Sequence, residues 1–280
     1  FTPELTGFMY YSLDASDGAD KANSFDISRV YMGGKFALSD KFTFRYLSDI
    51  GHETGGGKFE VFTKYACLDW KFSKSAALTI GLQGTKNFGV EEKEWGFRVI
   101  RKAPMESFGD FWGTKTYFAA IDSRVKTLNG GDESDKALAV KLGQQKAAFA
   151  WSARNKMGCS ADQGVSLSLK QDADSYIDIM VINGDGYKKA EDDKYKNFQF
   201  RAGRYLAGKK VHLSAYFEFE PWSYTDSLSG KKSYSNRQWD LMATFSSKDK
   251  GLLGLNYNGK TFAGSFEDIT ASCFSIFGNV

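Results

Sequence analysis

Two histidines are the side chains of this 280-residue chain best suited to act as general bases near neutral pH. His52 follows Asp49 by three residues and precedes Glu53, so an Asp–His pair at the end of a strand could activate water. An Asp-x-x-His spacing in a polar loop is common by chance, however, and His212 is far from any convincing serine nucleophile. Neither histidine therefore predicts a catalytic site.

The remaining reactive residue types also lack the patterns that chemistry needs. Glu218 and Glu220 alternate along one strand, which indicates a polar face before it indicates a pair of catalytic carboxylates. The sequence contains no HExxH, no GxSxG and no phosphate-binding glycine loop. Cys67, Cys159 and Cys273 are too few and too scattered for a disulfide framework, and no CxxC pair indicates zinc. We expect no catalytic residue, no metal and no cofactor, and predict that the protein is not an enzyme.

The composition indicates strands with one apolar and one wet face. Aromatic residues make up 16% of the chain, yet the mean hydropathy is −0.41 because polar residues interrupt the apolar ones evenly. Strict alternation along extended strands produces this combination. No stretch approaches the roughly 18–20 apolar residues of a transmembrane helix, and a membrane protein without one must close a sheet. The net charge of +3 comes from 37 basic and 34 acidic residues that are mixed along the chain, so we expect no nucleic-acid partner.

Alternating segments recur along the chain, and short turns alternate with longer polar connections. In 210–222, for example, Val211, Leu213 and Phe217 oppose His212, Ser214 and Glu218. The predicted strands are 4–13, 24–38, 41–50, 58–72, 76–85, 94–101, 115–124, 136–143, 146–156, 164–171, 175–183, 195–206, 210–222, 235–247, 251–258 and 261–271. Short turns on one side and longer loops on the other are typical of outer-membrane barrels.

We therefore predict one domain, 1–280, that forms a closed antiparallel transmembrane β-barrel of about sixteen strands in the outer membrane of a Gram-negative bacterium. The start, Phe1-Thr-Pro-Glu-Leu, has no signal-peptide character, so we expect a mature start after signal-peptide removal or a trimmed one. A soluble β-sandwich, a propeller or another β-rich binding domain is the alternative. Such a fold rarely places Phe and Trp at nearly every outward position.

In a barrel of this kind, the polar residues of each strand would line the lumen. The charged members of this predicted pore-lining set are Arg29, Lys35, Arg45, Asp49, Asp69, Lys71, Lys141, Arg154, Lys170, Asp178, Arg201, Glu218, Glu220 and Asp240. Such a density of charge would be costly in a dry core but costs little in a water-filled channel. Acids and bases are both present, so we expect a weakly selective channel for small hydrophilic solutes and ions, in which the charge of the lining side chains has a mild cationic bias.

Several short motifs strengthen this interpretation. Residues 80–98 contain Ile-Gly-Leu-Gln and Trp-Gly-Phe-Arg, residues 183–187 read Asn-Gly-Asp-Gly-Tyr, and residues 200–204 read Phe-Arg-Ala-Gly-Arg. This arrangement resembles porins of the phosphate-selective type and their relatives. The resemblance implies a sixteen-stranded pore, often a homotrimer, with an inward-folded third loop in which Arg98 and Arg101 would narrow the channel. The chain lacks a ladder of inward arginines, so phosphate selectivity does not follow.

The two lines of reasoning differ over residues 86–114. Alternation makes Glu94–Arg101 a strand followed by a turn at Pro104, whereas the resemblance makes most of 86–114 a constriction loop. We favour a loop that enters the lumen. A passive porin surrounded by outer-membrane lipid is the predicted function. The alternative is a structural or assembly barrel, plugged by its own loops or by a partner.

Overall fold

A computed structural model describes residues 1–13, 23–52, 58–96, 122–140, 142–143, 159–188, 190–191, 194–226, 230–247, 251–262 and 269–279. The strands are β1 (Thr2–Leu13), β2 (Asn23–Ala37), β3 (Phe42–His52), β4 (Phe59–Lys71), β5 (Ala76–Gly84), β6 (Ala161–Lys170), β7 (Ser175–Ile182), β8 (Asn197–Leu206), β9 (Val211–Asp226), β10 (Gly230–Ser247), β11 (Gly251–Phe262) and β12 (Ile269–Asn279). One helix, α1, runs from Lys86 to Trp95, and residues 122–128 and 133–140 are also helical.

The strands form one antiparallel sheet in which each strand pairs with the next along the chain, from β1 to β12. Short turns at 38–41, 72–75, 171–174 and 207–210 join strands at one end of the sheet, which we call the short-turn end. Within the part of the chain that the structure describes, β1 and β12 are the two edges and no pairing closes the sheet.

The strand count corrects the sequence prediction of a closed barrel of about sixteen strands, because the sheet has twelve strands and is open among these residues. The difference arises between β5 and β6. Residues 94–95 and 136–140, which were predicted as strand, are helical, and 122–124 are helical as well. Gly96 ends α1, and residues 142–143 are helical. Residues 97–101, 115–121, 141 and 146–156 of the predicted strands lie outside the described residues.

Local chemistry explains these helices. Asp132 begins the segment 133–140 by accepting a hydrogen bond from the backbone N–H of Asp135 (2.9 Å), as a helix N-cap does. Ala137, Leu138 and Ala139 are strong helix formers. Residues 137–140 form a continuous apolar run, which is too short for its period to distinguish a strand from a helix.

Two smaller predictions about the connections were also wrong. The connection between the predicted strands 210–222 and 235–247 is mostly strand, since β9 continues to Asp226 and β10 begins at Gly230. The predicted last strand, 261–271, lies too early, since β12 spans Ile269–Asn279. In both hairpins the paired strands extend beyond the alternating apolar segment, so hydropathy alone misplaces their ends.

Exposure on the sheet is inverted relative to a soluble protein. On one face, which we call the outer face, large apolar side chains are exposed, including Leu241 (55%), Phe274 (60%) and Ile276 (67%). On the opposite, inner face, where α1 lies, polar side chains are buried, and Asp240 and Gln238 have no exposed surface. A contiguous exposed apolar surface of this kind indicates contact with lipid or another protein. None of the helices in the described ranges is both long and apolar enough to cross a membrane.

Candidate functional site

The inner face is built by the period-two alternation of β8 to β11, which directs every second side chain to the same side of the sheet. The buried polar side chains on this face are Asn197, Gln199, Arg201, His212, Ser214, Glu218, Glu220, Asn236, Gln238, Asp240, Thr244, Asn256, Asn258 and Lys260. Strand register places them in rows, with Gln199 opposite Glu218 and Asp240 opposite Asn258. The face is therefore a continuous hydrogen-bonding surface.

Arg201 is the centre of this surface, and its side chain is fully buried. Its guanidinium donates to Ser214 Oγ (2.9 Å) and to Asp240 Oδ1 (3.2 Å). It also donates to the side-chain oxygen of Asn87, on α1. The second carboxylate oxygen of Asp240 accepts a hydrogen bond from Asn256. A buried ion pair needs such additional hydrogen bonds to offset its desolvation, and the network links four strands to α1.

A second acidic centre lies one row away, towards the longer connections. The carboxylate of Glu218 accepts hydrogen bonds from Tyr216 and from Gln199 Nε2 (3.4 Å), and its other oxygen lies 4.0 Å from Lys260 Nζ. Glu220 accepts from Asn236 Nδ2 at 3.5 Å. The two glutamates are therefore held by neighbouring strands and are not arranged as an acid and base that flank an open site.

Helix α1 crosses the inner face and is fixed at both ends. It begins after Thr85, in extended conformation, and ends at Gly96, whose left-handed conformation (φ 69°) allows its N–H to bond the carbonyl of Glu92. Near its start, Lys86 Nζ donates to Ser168 Oγ (3.1 Å) and lies 3.6 Å from Asp178 Oδ1. Near its end, the ring of Trp95 packs edge-on against that of Phe277 on β12, with centroids 5.1 Å apart.

Glu94 forms a further polar attachment between α1 and the sheet. Its Oε1 lies 3.1 Å from His212 Nδ1, and its Oε2 accepts a hydrogen bond from Thr244 Oγ1 (2.8 Å). Burial alone would raise the pKa of the Glu94 carboxyl, but hydrogen bonds from His212 and Thr244 and the charge of His212 outweigh it and lower the pKa. On its far side, His212 Nε2 is 3.0 Å from the hydroxyl of Tyr176, and Tyr205 stacks on the ring at 4.2 Å. Both nitrogens and one face of the imidazole thus contact the protein.

The connection between β7 and β8 is a second segment that enters the inner side. Asp162 accepts hydrogen bonds from the backbone N–H groups of Gly184 (2.8 Å) and Gly186 (3.1 Å), and both glycines have positive φ. This tight turn aims Tyr187 across the sheet, where its hydroxyl donates to Asp49 on β3. Burial, and then the Asp49 carboxylate, raises the pKa of the Tyr187 phenol. The turn corresponds to the Asn-Gly-Asp-Gly-Tyr motif of the sequence.

A group of basic and aromatic side chains lies on β1 to β4. Arg29 Nε pairs with Asp49 Oδ1 at 3.0 Å, and Lys64 Nζ donates to the hydroxyl of Tyr31 at 3.0 Å. Two nitrogens of Arg45 contact Glu4 Oε2, at 2.8 and 3.0 Å. Lys35 Nζ pairs with the other oxygen of Glu4 at 3.3 Å, and its side chain is about half exposed. The basic side chains of this region are more accessible than Arg201 and Lys260, the buried basic residues of β8 and β11.

The predicted pore-lining residues fall into three sets. Those with contacts on the inner face are Arg29, Lys35, Arg45, Asp49, Asp69, Asp178, Arg201, Glu218, Glu220 and Asp240. Lys71 and Lys170 are exposed at strand ends beside the short turns. Arg98, Arg101, Lys141 and Arg154 lie outside the described residues. Of the two histidines considered as general bases, His52 is the last residue of β3 and His212 contacts α1.

Sequence reasoning missed Glu94, Asn87 and Tyr187 as members of this site. The sequence gives no apolar stripe for α1, because Asn87 and Glu91 lie on its buried side with Phe88. No signal in the sequence pairs a residue with a partner 138 positions away, as in the Tyr187–Asp49 contact. Among the described residues, no group of three or more His, Cys, Asp or Glu could hold a metal ion.

An antiparallel sheet of consecutive strands with an apolar exposed face and a polar inner face is the fold of outer-membrane β-proteins. The chain is similar to OmpT, an outer-membrane protein of Vibrio cholerae, in its in-vitro folded trimer form, with a TM-score of 0.52 and 11% identity over 99% of this chain and 72% of that chain. It is also similar to the outer-membrane channel DcaP of Acinetobacter baumannii, with a TM-score of 0.50 and 11% identity over 99% of this chain and 79% of that chain. No family model and no curated protein sequence matches the chain.

Proposed function

We propose that the protein is a narrow outer-membrane channel for small hydrophilic solutes and ions, in which twelve strands close into a barrel. The observation that supports the proposal most is the inversion of the sheet, with exposed Leu241, Phe274 and Ile276 outside and buried polar side chains inside. An even number of antiparallel strands allows β1 to pair with β12 as bacterial barrels require. Surrounded by lipid, the outer face loses its contact with water. Closure of the sheet supplies hydrogen-bond partners for the backbone N–H and C=O groups at the edges of β1 and β12.

The width of such a channel differs from the sequence expectation. A barrel's diameter grows with its strand number, so twelve strands enclose less space than the sixteen first predicted. Helix α1 and Tyr187 occupy part of that space from two sides. We therefore propose that residues 86–95 narrow the lumen, as expected for the constriction loop, but in the form of a helix. We expect low conductance and weak selectivity.

The similar solved structures support the proposal of an outer-membrane channel and of a trimeric assembly. DcaP is described as an outer-membrane channel, and one OmpT structure as a trimer. We propose the same location, in the outer membrane of a Gram-negative bacterium, and a homotrimer. We also propose that the protein is not an enzyme, because the contacts of His212 are used to hold α1. One ring nitrogen of His212 contacts Glu94 on α1 and the other contacts Tyr176, while Thr244 donates to Glu94.

Single-channel recording in planar bilayers tests the proposal. Folded protein should give discrete conductance steps at low applied voltage, and heat-modifiable migration on a gel should confirm that the sample is a folded barrel. A folded sample with near-zero conductance would contradict the channel.

That outcome would favour the second candidate, a barrel plugged by its own segments and serving as an assembly subunit. The full burial of Arg201 and Asp240 beneath α1 is the observation that favours this alternative. Addition of a denaturant at a concentration below global unfolding separates the two functions. It should open a plugged barrel, whereas a channel conducts without it.

A further inference from the structure

The outer face carries a groove of about 610 Å³ across β7 to β12. Its floor is formed by small side chains that meet across strands, because Ala202 pairs with Ala215 and Ala243 lies on the next strand. Its walls are large apolar side chains, among them Leu213, Leu241 and Phe274. This apolar slot fits a flexible hydrocarbon chain.

The groove ends at a cation. Arg204 is exposed on the outer face, lines the groove and pairs across the strands with Ser175 and Leu213. Among the described residues it forms no ion pair. It lies two residues before the end of β8, next to the short-turn end of the sheet. A lipid-facing arginine is costly at the membrane centre and tolerated near the interface, where its side chain can reach the headgroups.

The charges around Arg204 leave a positive excess at this end of the groove. Lys209 and Lys210 lie in the adjoining turn, and Lys209 Nζ is 3.9 Å from Asp174. The exposed carboxylate of Asp172 accepts hydrogen bonds from the backbone N–H groups of Asp174 and Ser175 and from the Ser175 hydroxyl, and these bonds together with the charge of Arg204 lower its pKa. Arg204, Lys209 and Lys210 therefore outnumber the two carboxylates beside them, and an anion can compete with Asp172 for Arg204.

We propose that the groove binds an anionic phospholipid of the leaflet at the short-turn end, with an acyl chain along Ala202, Ala215 and Ala243 and the phosphate on Arg204. The proposal rests on the membrane placement proposed above. A second copy of the chain would cover the groove with side chains and would need a carboxylate for Arg204. A phospholipid supplies both the flexible apolar chain and the anion, and arginine binds phosphate through paired hydrogen bonds.

Lipid retention measured by native mass spectrometry tests this site. Protein folded in detergent is incubated with dioleoyl phosphatidylglycerol or, separately, with dioleoyl phosphatidylcholine, and the bound lipids are counted. Arg204→Gln should reduce retention of phosphatidylglycerol by roughly tenfold, as for loss of a charge-assisted contact. Ala215→Phe should fill the groove and reduce retention of both lipids. Each variant is checked for heat-modifiable migration.

Arg237→Gln is the matched control, because Arg237 is exposed on the outer face of β10, lies six residues further from the short-turn end than Ala243, and does not line the groove. It should retain phosphatidylglycerol as the unchanged protein does. Equal losses in the Arg204 and Arg237 variants would overturn the site in favour of general charge attraction. A changed oligomer mass in Ala215→Phe with unchanged lipid retention would overturn it in favour of a contact between subunits. Conductance recorded on the same samples separates failure of the lipid site from failure of the channel.

Discussion

Replacement of Glu94 by Gln should loosen α1 from the inner face without disturbing the sheet. Glu94 makes two contacts, with His212 Nδ1 at 3.1 Å and Thr244 Oγ1 at 2.8 Å, and its side chain is only 13% exposed. Gln is almost the same size and keeps an oxygen that can accept from Thr244. It loses the charge that attracts His212. The change therefore isolates the electrostatic part of the attachment.

The size of the effect follows from the difference between charged and neutral hydrogen bonds. A bond to a charged group contributes about 1.5–3 kcal/mol, and a neutral one about 0.5–1.5 kcal/mol. The expected loss is therefore about 1–1.5 kcal/mol, which changes the ratio of docked to undocked α1 by roughly tenfold. Lys86 and Trp95 still hold the two ends of the helix, so partial release is expected.

Current noise in single-channel recordings reports this release. The Glu94→Gln channel should show more frequent transitions between conductance levels than the unchanged protein at neutral pH. The pH dependence has a definite sign. Because the folded-state pKa of Glu94 is lowered, its contribution to docking is present above the ordinary pKa of about 4.3 and is lost as the pH falls through the folded-state value. Acid should increase the transitions of the unchanged protein and have less effect on the variant.

Glu92→Gln is the control, since it removes the same charge from the same helix. The charge of Glu92 acts on Tyr65 of β4. If Glu92→Gln and Glu94→Gln change the noise equally, the effect comes from the net charge of α1. If neither variant differs from the unchanged protein at any pH, Glu94 does not hold the helix and the reasoning is refuted.

Three further substitutions test the sheet, each read from the midpoint of heat-modifiable migration. Arg201→Met leaves Asp240 buried without its partner and should destabilise the fold by about 3–5 kcal/mol, and a second change of Asp240 to Asn should recover part of that loss. Gly81→Ala should destabilise the fold by more than about 1 kcal/mol, because Gly81 has φ 117° and a Cβ would lie 2.4 Å from the carbonyl oxygen of Ala66. An unchanged midpoint of this variant would contradict the geometry. Leu241→Arg on the outer face should cost about 2–4 kcal/mol at the bilayer centre and more than Phe245→Arg near the strand end, whereas equal small costs would argue against a lipid-facing surface.

The strands were predictable because each one carries its own evidence. Alternation in 210–222 depends on residues that are adjacent in sequence, and it correctly separated exposed Leu213 and Phe217 from buried Ser214 and Glu218. Twelve of the predicted segments overlap a strand of the sheet for this reason. Errors at the ends of β9 and β12 arose where pairing continues beyond the alternating residues.

The segment between β5 and β6 was not predictable in the same way. Helix α1 contains Asn87 and Glu91 on its buried side, so its inward surface is polar and gives no apolar stripe for a pattern to detect. Its partners Arg201 and His212 are more than a hundred positions away. A helix that packs against a polar surface is specified by tertiary hydrogen bonds, and those depend on the folded sheet.

The distribution of exposure on the inner face gives a last prediction, on ion selectivity. Asp240 and Glu218 have side-chain exposures of 0% and 6%, whereas Arg29, Lys35 and Arg45 have 27%, 48% and 28%. Ions in the lumen therefore meet the basic side chains of β2 and β3 more directly than the acidic ones of β9 and β10.

We expect a modest preference for anions, stronger than the near balance of acids and bases implies. A unit charge about 10 Å away in water lowers the energy of an anion and raises that of a cation by roughly 0.4 kcal/mol each, so Lys35→Gln should lower the anion-to-cation permeability ratio about fourfold. Reversal potentials in a salt gradient measure this ratio. Lys71→Gln is the control, because Lys71 is exposed at the end of β4 beside a short turn. If accessibility sets the field that ions encounter, Lys35 lies in the path of the current and Lys71 does not. A channel that prefers cations, or an equal shift of the ratio in the two lysine variants, would refute this reasoning.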